Sequence, residues 1–418
     1  RKAFITITET DMTNKSLTRS TLVIALSLIG AGAQAQISDG TVKIGILSDM
    51  SGPYSGMGGR GSVTAARLAV EDCMKAECKG MKVEVVSADH QNKADIAASK
   101  AREWLDRDHI DAIADLTNSA AALAVQKLMK EKGGIALFSG PATTRLTNED
   151  CSPTGFHWMF DTYSQAAGTA AALTKLGHKS WYYLTVDYAF GASLEKEASD
   201  IVKKNGGTVT GALRHPLNAS DFSSFLVQAK SSKAQVIGLA NGGQDTVSAI
   251  KQAREFKIGS DKNQRLAALL VFLSDVHALG LETAQGLTYA DGFYWDYDKQ
   301  SRDFATRFEA KNKGAKPTMV HAGVYSSVYH YLKSVAAAKS DVAAVVAQKM
   351  RELPIKDGVM HNASIRPDGR VIHDMYLYQV KTPAESKGPW DYLKLVSTIP
   401  ADQAFKPLDQ SACTLVKI

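Results

Sequence analysis

The sequence predicts an α/β protein built as two doubly wound parallel-sheet lobes, and three observations carry that prediction. From residue 41 onward, short apolar runs alternate with stretches of helical apolar spacing, the signature of parallel strands covered by helices on both faces. The alternation restarts after Phe160, giving two successive series of similar length. At 418 residues and 44% hydrophobic, the chain is also long enough for two or three cores, because a single core stops growing near ~250–300 residues.

The elements follow in order. Residues 42–47 (Val42, Ile44, Ile46, Leu47) read as a buried strand, and 62–74 carry helical spacing through Val63, Ala66, Leu68 and Val70. A strand over 81–86, a helix over 94–105, a strand over 110–114, a helix over 120–129 and a strand over 135–138 complete the first series. The second opens with a helix over 165–176 and a strand over 181–186. A helix over 194–204 follows, stopped by Asn205-Gly206-Gly207. Strands over 209–213, 236–239 and 268–273 then alternate with helices over 222–230 and 246–256. Past Gly286 the order changes: a strand through Phe293, helices near 301–311, 320–337 and 342–350, and strands at 375–380 and 392–396. No Pro-rich or low-complexity tether separates the lobes, so their junction is expected to be a hinge.

Composition excludes several classes of function. Lys and Arg number 49 against 43 Asp and Glu, a formal charge of +6; residues 1–35 supply four basic and two acidic side chains, which leaves +4. No dense basic cluster remains, and a phosphate-reading face needs one, so nucleic acid is not an expected partner. Residues 1–35 read as an export signal. Lys15 and Arg19 precede the apolar run 22–32, and Ala33-Gln34-Ala35 fits small-x-small cleavage, with mature protein expected from Gln36. The run is well short of the ~20 residues that span a bilayer. A periplasmic protein, not embedded in the membrane, is therefore expected.

Four cysteines, Cys73, Cys78, Cys151 and Cys413, suit an oxidising compartment and allow three pairings. The five-residue spacing of Cys73 and Cys78 suits a local bridge, which leaves Cys151 to pin the tail through Cys413. A metal site is the rival, but no His lies at ligand spacing beside either pair. No metal or cofactor is expected.

Gly56-Met57-Gly58-Gly59-Arg60-Gly61 matches the dinucleotide-binding glycine pattern. However, about eight residues separate it from the strand, where the Rossmann turn has almost none. The glycines are better explained as allowing close approach of a loop to another backbone or a ligand. H-E-x-x-H, G-x-S-x-G and Walker A patterns are absent, so no enzyme is expected.

The strand ends carry a resemblance. Ser48-Asp49-Met50-Ser51-Gly52-Pro53-Tyr54, Asp187-Tyr188-Ala189-Phe190-Gly191, Asn241-Gly242-Gly243-Gln244 and Gly292-Phe293-Tyr294-Trp295 form an ordered set. Together they resemble the cleft loops of periplasmic binding proteins of the leucine/isoleucine/valine type. The resemblance spans roughly 41–396. It implies a type I periplasmic binding protein fold with a three-crossover hinge near Phe160, Gly292 and Asn362. Lobe 1 would then hold 36–160 plus 293–362, and lobe 2 would hold 161–292 plus 363–418.

It also implies a function: capture of a small carboxylate, an aromatic acid or an amino acid, for an ABC permease; the alternative is a ligand-sensing receptor of the same fold. In such sheets ligands bind beyond the strand C-termini, where helix N-termini point. Thr117-Asn118-Ser119 and Pro141-Ala142-Thr143 match the family's carboxylate-binding loops, with plain helix capping as the competing role for Ser119 and Thr143. Ser51, Tyr54, Asn241 and Gln244 belong to the other cleft loops. Phe190 aligns with a closing tyrosine, with Tyr188 beside it, although both also fit a lobe core. Asp275 falls where amino-acid binders place the partner of the ligand's ammonium, or else caps the helix after it. Tyr294, with Trp295, would suit a flat ligand.

Overall fold

The first sheet grows from its central strand. β1 (Val42–Ser48) is apolar along most of its length, which suits a strand covered on both faces. In the computed structural model, which describes residues 37–259 and 264–416, β1 pairs in parallel with β2 (Val83–Asp89) and β3 (Ala112–Asp115). β4 (Ile135–Phe138) and β5 (Gly155–His157) extend the sheet to the order β2-β1-β3-β4-β5. The helices α1 (Gly59–Lys75), α2 (Ala94–Glu103) and α3 (Ser119–Lys132) make its crossovers. The expected signal segment, 1–35, and the start at Gln36 lie outside the described residues.

The second sheet repeats the scheme. α4 (Thr162–Lys175) begins with a capping box, the Asp161 carboxylate accepting from Ser164 N at 2.8 Å while the Ser164 hydroxyl meets Asp161 N. β6 (Ser180–Val186), α5 (Ala189–Lys204), β7 (Thr208–His215), α6 (Ser223–Ser231), β8 (Val236–Ala240), α7 (Gln244–Glu255) and β9 (Arg265–Ala268) follow, in the parallel order β7-β6-β8-β9. Both sheets therefore reverse direction beside their first strand, between β1 and β3 and between β6 and β8. At such switch points neighbouring loops diverge and leave a crevice.

The strand expected over 268–273 is displaced. β9 ends at Ala268, and Leu273 already opens α8 (Leu273–Leu279). The intervening 269–272 is apolar because it is buried as a loop; only Leu269 N extends the ladder, donating to Leu239 O at 3.2 Å. After α9 (Leu281–Ala284), β10 (Thr288–Asp291) starts a separate antiparallel sheet. The chain then returns to the first lobe as α10 (Lys299–Lys311), α11 (Met319–Ala338) and α12 (Ala343–Glu352). α11 is buried nearly all round and packs on α1, β3 and β4.

The last segment is shared between the lobes. The short ladder of β11 (Ser364–Ile365) and β12 (Val371–Ile372) brings Arg370 beside His157, at the end of the first sheet. β13 (Met375–Val380) and β14 (Leu393–Ile399) join β10, and α13 (Ala401–Ala404) rests on α4. Arg370 is fully buried at this junction. It donates from Nη1 to Phe160 O at 3.0 Å and lies over the Phe405 ring at 4.3 Å. The disulfide Cys73–Cys78 closes the end of α1, and Cys151–Cys413 ties the tail to the loop before β5, the two pairings expected from spacing. The glycine-rich loop opens α1, where Gly61 lets the helix sit directly against the His321 ring of α11. Among the described residues no helix is long and apolar enough to cross a membrane.

Candidate functional site

The loops leaving the switch points nearly close on one another and enclose a cavity of about 10 Å³, room for a single water, so a larger ligand needs the loops to part. From the first lobe it is lined by Tyr54 and Met57 after β1, Thr117 and Ser119 after β3, and Gly140 and Ala142 after β4. From the second come Tyr188 and Phe190 after β6, Gly242 after β8, and Leu270 and Phe272 after β9.

A buried carboxylate shapes the first of these loops. Asp49 accepts from Gly52 N at 2.7 Å and from Tyr54 N at 2.9 Å, while its own N–H donates to Thr117 Oγ1 at 2.9 Å. That arrangement folds the β1 loop back and locks it to the β3 loop. Burial raises the Asp49 carboxyl above its ordinary range, partly offset by these N–H donors. Ser119 opens α3, and its Oγ accepts from Ala142 N at 3.4 Å and Thr143 N at 3.3 Å, bonds at the long end of the range.

The lobes touch across the cleft. The Tyr54 and Tyr188 hydroxyls are 2.7 Å apart, and Gln244 N donates to Pro53 O at 3.2 Å. Burial raises both phenols far above their usual value, so they stay neutral and act as hydrogen-bond groups.

Of the residues expected from sequence, the cavity brings together Tyr54, Thr117, Ser119, Ala142, Tyr188 and Phe190. The others sit outside its lining. Ser51 is exposed and donates to Asp89 at 2.6 Å. Asn118 caps α3, accepting from Ala121 N at 2.9 Å. The Pro141 carbonyl accepts from His157 Nε2 at 2.7 Å, and Thr143 Oγ1 accepts from Arg145 N at 3.4 Å. Asn241 is buried between Thr246 and His215; the Gln244 side chain is exposed and donates to Ser248. Asp275 caps α8, accepting from Phe272 N at 3.0 Å, and burial pushes its carboxyl up to about 7. Tyr294 donates to Trp390 O at 3.2 Å, in the turn before β14, and Trp295 Nε1 donates to the same carbonyl at 2.8 Å. Met57, Leu270 and Phe272 were not anticipated: apolar lining has the same sequence signature as apolar core.

The chemistry available is that of binding. Thr117 Oγ1 lies 3.3 Å from His90 Nε2, but His90 Nδ1 accepts from Asn92 N at 3.0 Å. The ring proton is therefore on Nε2, which donates to Thr117 and cannot take its proton. Among the described residues no charged side chain lines the cavity, and no group of three or more acidic, His or Cys side chains could hold a metal ion.

Comparison with known proteins agrees with this architecture. Residues 41–389 match the family model described as periplasmic binding protein. A crystal structure of a periplasmic binding protein from Burkholderia mallei is 51% identical with a TM-score of 0.87, covering 91% of this chain and 100% of that one. A branched-chain amino acid ABC transporter periplasmic ligand-binding protein from Burkholderia xenovorans is 39% identical with a TM-score of 0.79, covering 90% of this chain and 99% of that one. The Leu/Ile/Val-binding protein homolog 6 of Brucella melitensis is 26% identical over 366 residues, 85% of this chain and 91% of that protein. With two parallel sheets, a cleft at their switch points and these matches along its length, the chain belongs to the periplasmic binding protein family, among the non-enzymatic solute-binding proteins of branched-chain amino acid type ABC transporters.

Proposed function

We propose that this chain is a periplasmic receptor that captures a small monocarboxylate between its lobes, an aromatic acid ahead of an α-amino acid, and presents it to an ABC permease. The observation that carries the ligand class is the absence of charge in the lining. Asp275, the residue expected to meet an ammonium, is engaged in capping α8. An α-amino acid would bring its ammonium against a lining with no carboxylate to pair with directly, which is costly. A carboxylate needs only donors: the Ser119 hydroxyl keeps its hydrogen to give, and the Ala142 and Thr143 N–H groups, held only by long 3.4 and 3.3 Å bonds to Ser119 Oγ, can turn to the ligand. Phe190, Phe272, Leu270 and Met57 supply an apolar enclosure for a ring. The basic and apolar runs within 12–32 support export to the periplasm.

Names of relatives keep an amino acid as the competing ligand, so calorimetry of benzoate against leucine and phenylalanine is the test. Benzoate is expected to bind with micromolar affinity, about −8 kcal/mol, and to be recovered unchanged. Leucine binding more tightly than benzoate would overturn the ligand class. A chemically altered ligand would overturn the binding role itself.

A further inference from the structure

Asp115, the last residue of β3, has no part in the contacts described so far. It is fully buried, and among the described residues no N–H group or cation bonds either carboxylate oxygen; only the Ser48 and Ser62 hydroxyls approach it. Buried charges in native proteins are nearly always met by a cation or several N–H donors, so a carboxylate left with two hydroxyls calls for an explanation. The backbone here is also costly: Asp115 and Leu116 have φ of 79° and 60°, in the left-handed region that non-glycine residues rarely adopt.

The carboxylate lies directly behind the cavity wall. A Cβ placed on Gly140, which lines the cavity, would fall 2.7 Å from Asp115 Oδ1, and one on Gly58 would fall 3.1 Å from Oδ2. Two glycines thus bring bare backbone against the group. An anion held at the Ser119–Ala142–Thr143 loops would meet its charge through that thin wall.

Among the described residues no cation faces Asp115 from the elements packed on it. The β1 loop contributes the Asp49 carboxylate, and β1 and α1 contribute the Ser48 and Ser62 hydroxyls. The segment after β2 contributes His90, through Thr117, and α11 contributes His321, whose Nε2 donates to Gly58 O at 2.8 Å. Burial pushes both histidines down to about 4, so they are neutral near pH 6–8.

We propose that Asp115 takes a proton from solvent when the cavity captures a carboxylate, and that this residue makes the site selective for an anion arriving together with a proton. The inference rests on the reading of the cleft as a carboxylate site. Solvent acid supplies the proton, the Asp115 carboxylate becomes a carboxyl, and its new O–H can donate to the Ser62 hydroxyl oxygen beside it. Burial already holds the free carboxyl at about 6, tempered by the Ser62 and Ser48 hydroxyls. A bound anion pushes it higher. Affinity therefore rises as pH falls through the bound-state value toward 6, and levels off below 6, where the proton is present before binding. For unit charges roughly 8 Å apart at an effective dielectric near 20, the full rise is about thirtyfold.

The test is calorimetry of benzoate with the full-length chain between pH 5.5 and 8, each pH in two buffers of different ionisation enthalpy. Proton uptake near pH 7 is expected from the wild type. Asp115→Asn should abolish both the uptake and the pH slope while binding at pH 8 at least as tightly as wild type. Benzoate binding without uptake overturns this inference and leaves the proposed function standing, and the wild-type measurement decides this even if Asp115→Asn fails to fold. A slope that persists in Asp115→Asn also overturns it. Failure of benzoate, leucine and phenylalanine alike to bind at any pH overturns the proposed function, and this inference with it.

Discussion

Gly243→Ala separates closure of the cleft from stability of the lobes. Gly243 sits at the start of α7 with φ 57° and ψ −134°, a conformation essentially confined to glycine. A Cβ there would fall 2.6 Å from the Pro53 carbonyl oxygen and 2.8 Å from Tyr54 Cδ1, both on the opposite lobe. Two penalties follow, in different states. Backbone strain of about 1–3 kcal/mol acts whether the lobes are together or apart and lowers Tm. The collision exists only when they are together, because Pro53 and Tyr54 belong to the other half of the clamp. Relieving an overlap of more than half an ångström against rigid backbone costs about 2 kcal/mol, in the range for overpacking a fitted contact. The closed population then falls about thirtyfold relative to open forms, and apparent affinity falls by the same factor.

Gly280→Ala is the control. Its φ is 74°, but a Cβ there meets nothing within 4 Å, so it carries strain without collision. Thermal melting, calorimetry with the tightest-binding acid and small-angle scattering distinguish the variants. Both should melt earlier, but only Gly243→Ala should lose affinity and scatter as a more extended particle. If the two variants bind equally well, the Gly243–Pro53 approach is not needed for capture and the reasoning fails.

Asp275→Ala should lower stability by about 1 kcal/mol through loss of the α8 cap, with ligand affinity changing less than twofold; a loss of tenfold or more would place Asp275 against a ligand ammonium. Replacing Cys151 and Cys413 with Ser should destabilise more than replacing Cys73 and Cys78. Chain entropy gives up to ~5 kcal/mol for the 262-residue separation and ~2 for the five-residue one, measurable by urea denaturation. Between pH 6.5 and 8.5, Tm should fall by a few °C. Burial raises Asp291 to about 8 and Asp275 to about 7, so the folded chain holds protons that the unfolded chain has released, and stability is lost as pH rises through those values. Asp291→Asn should flatten that decline. On the acid side His321 and His373, held near 4 in the fold, act oppositely: the unfolded chain protonates first, so stability falls as pH drops through about 6.5.

The sheets were legible because parallel strands buried on both faces must be apolar throughout: 42–47, 135–138 and 236–239 can hardly be anything else. The same logic misplaces 269–272, which is equally apolar but packs as a loop, and it passes over β5, whose three residues make no pattern. The cleft loops were partly legible because they follow strands and open helices. The residues that line the cavity were harder to separate from those that only build the loops. Asn118, Thr143 and Asp275 are polar residues at helix starts, and capping an N–H asks for the same oxygen that binding a ligand does. Tyr294 lies beside a crossover in sequence, but its hydroxyl is claimed by a carbonyl 96 residues away, a contact that local pattern cannot carry.

The two lobes contribute unlike surfaces, and that difference suggests an order of events on the proposed reading. The first lobe carries Thr117, Ser119 and the Ala142 and Thr143 N–H groups; the second is apolar apart from the Tyr188 hydroxyl, already engaged with Tyr54. A carboxylate can therefore dock on the first lobe alone, while Phe190, Leu270 and Phe272 add only burial as the second lobe arrives. Much of the closed contact is made by protein with protein: Tyr54 to Tyr188, Gln244 to Pro53, and Thr144 to Glu197 at 3.1 Å. Closure then needs only a modest further bias from the ligand, since a shift in population depends on differential affinity alone. Burying about 100 Å² of ring against the second lobe supplies ~2.5 kcal/mol, a shift of roughly sixty- to seventyfold. An acid too short to reach Phe190 and Phe272 should dock without closing the clamp, binding weakly and leaving the scattering profile unchanged.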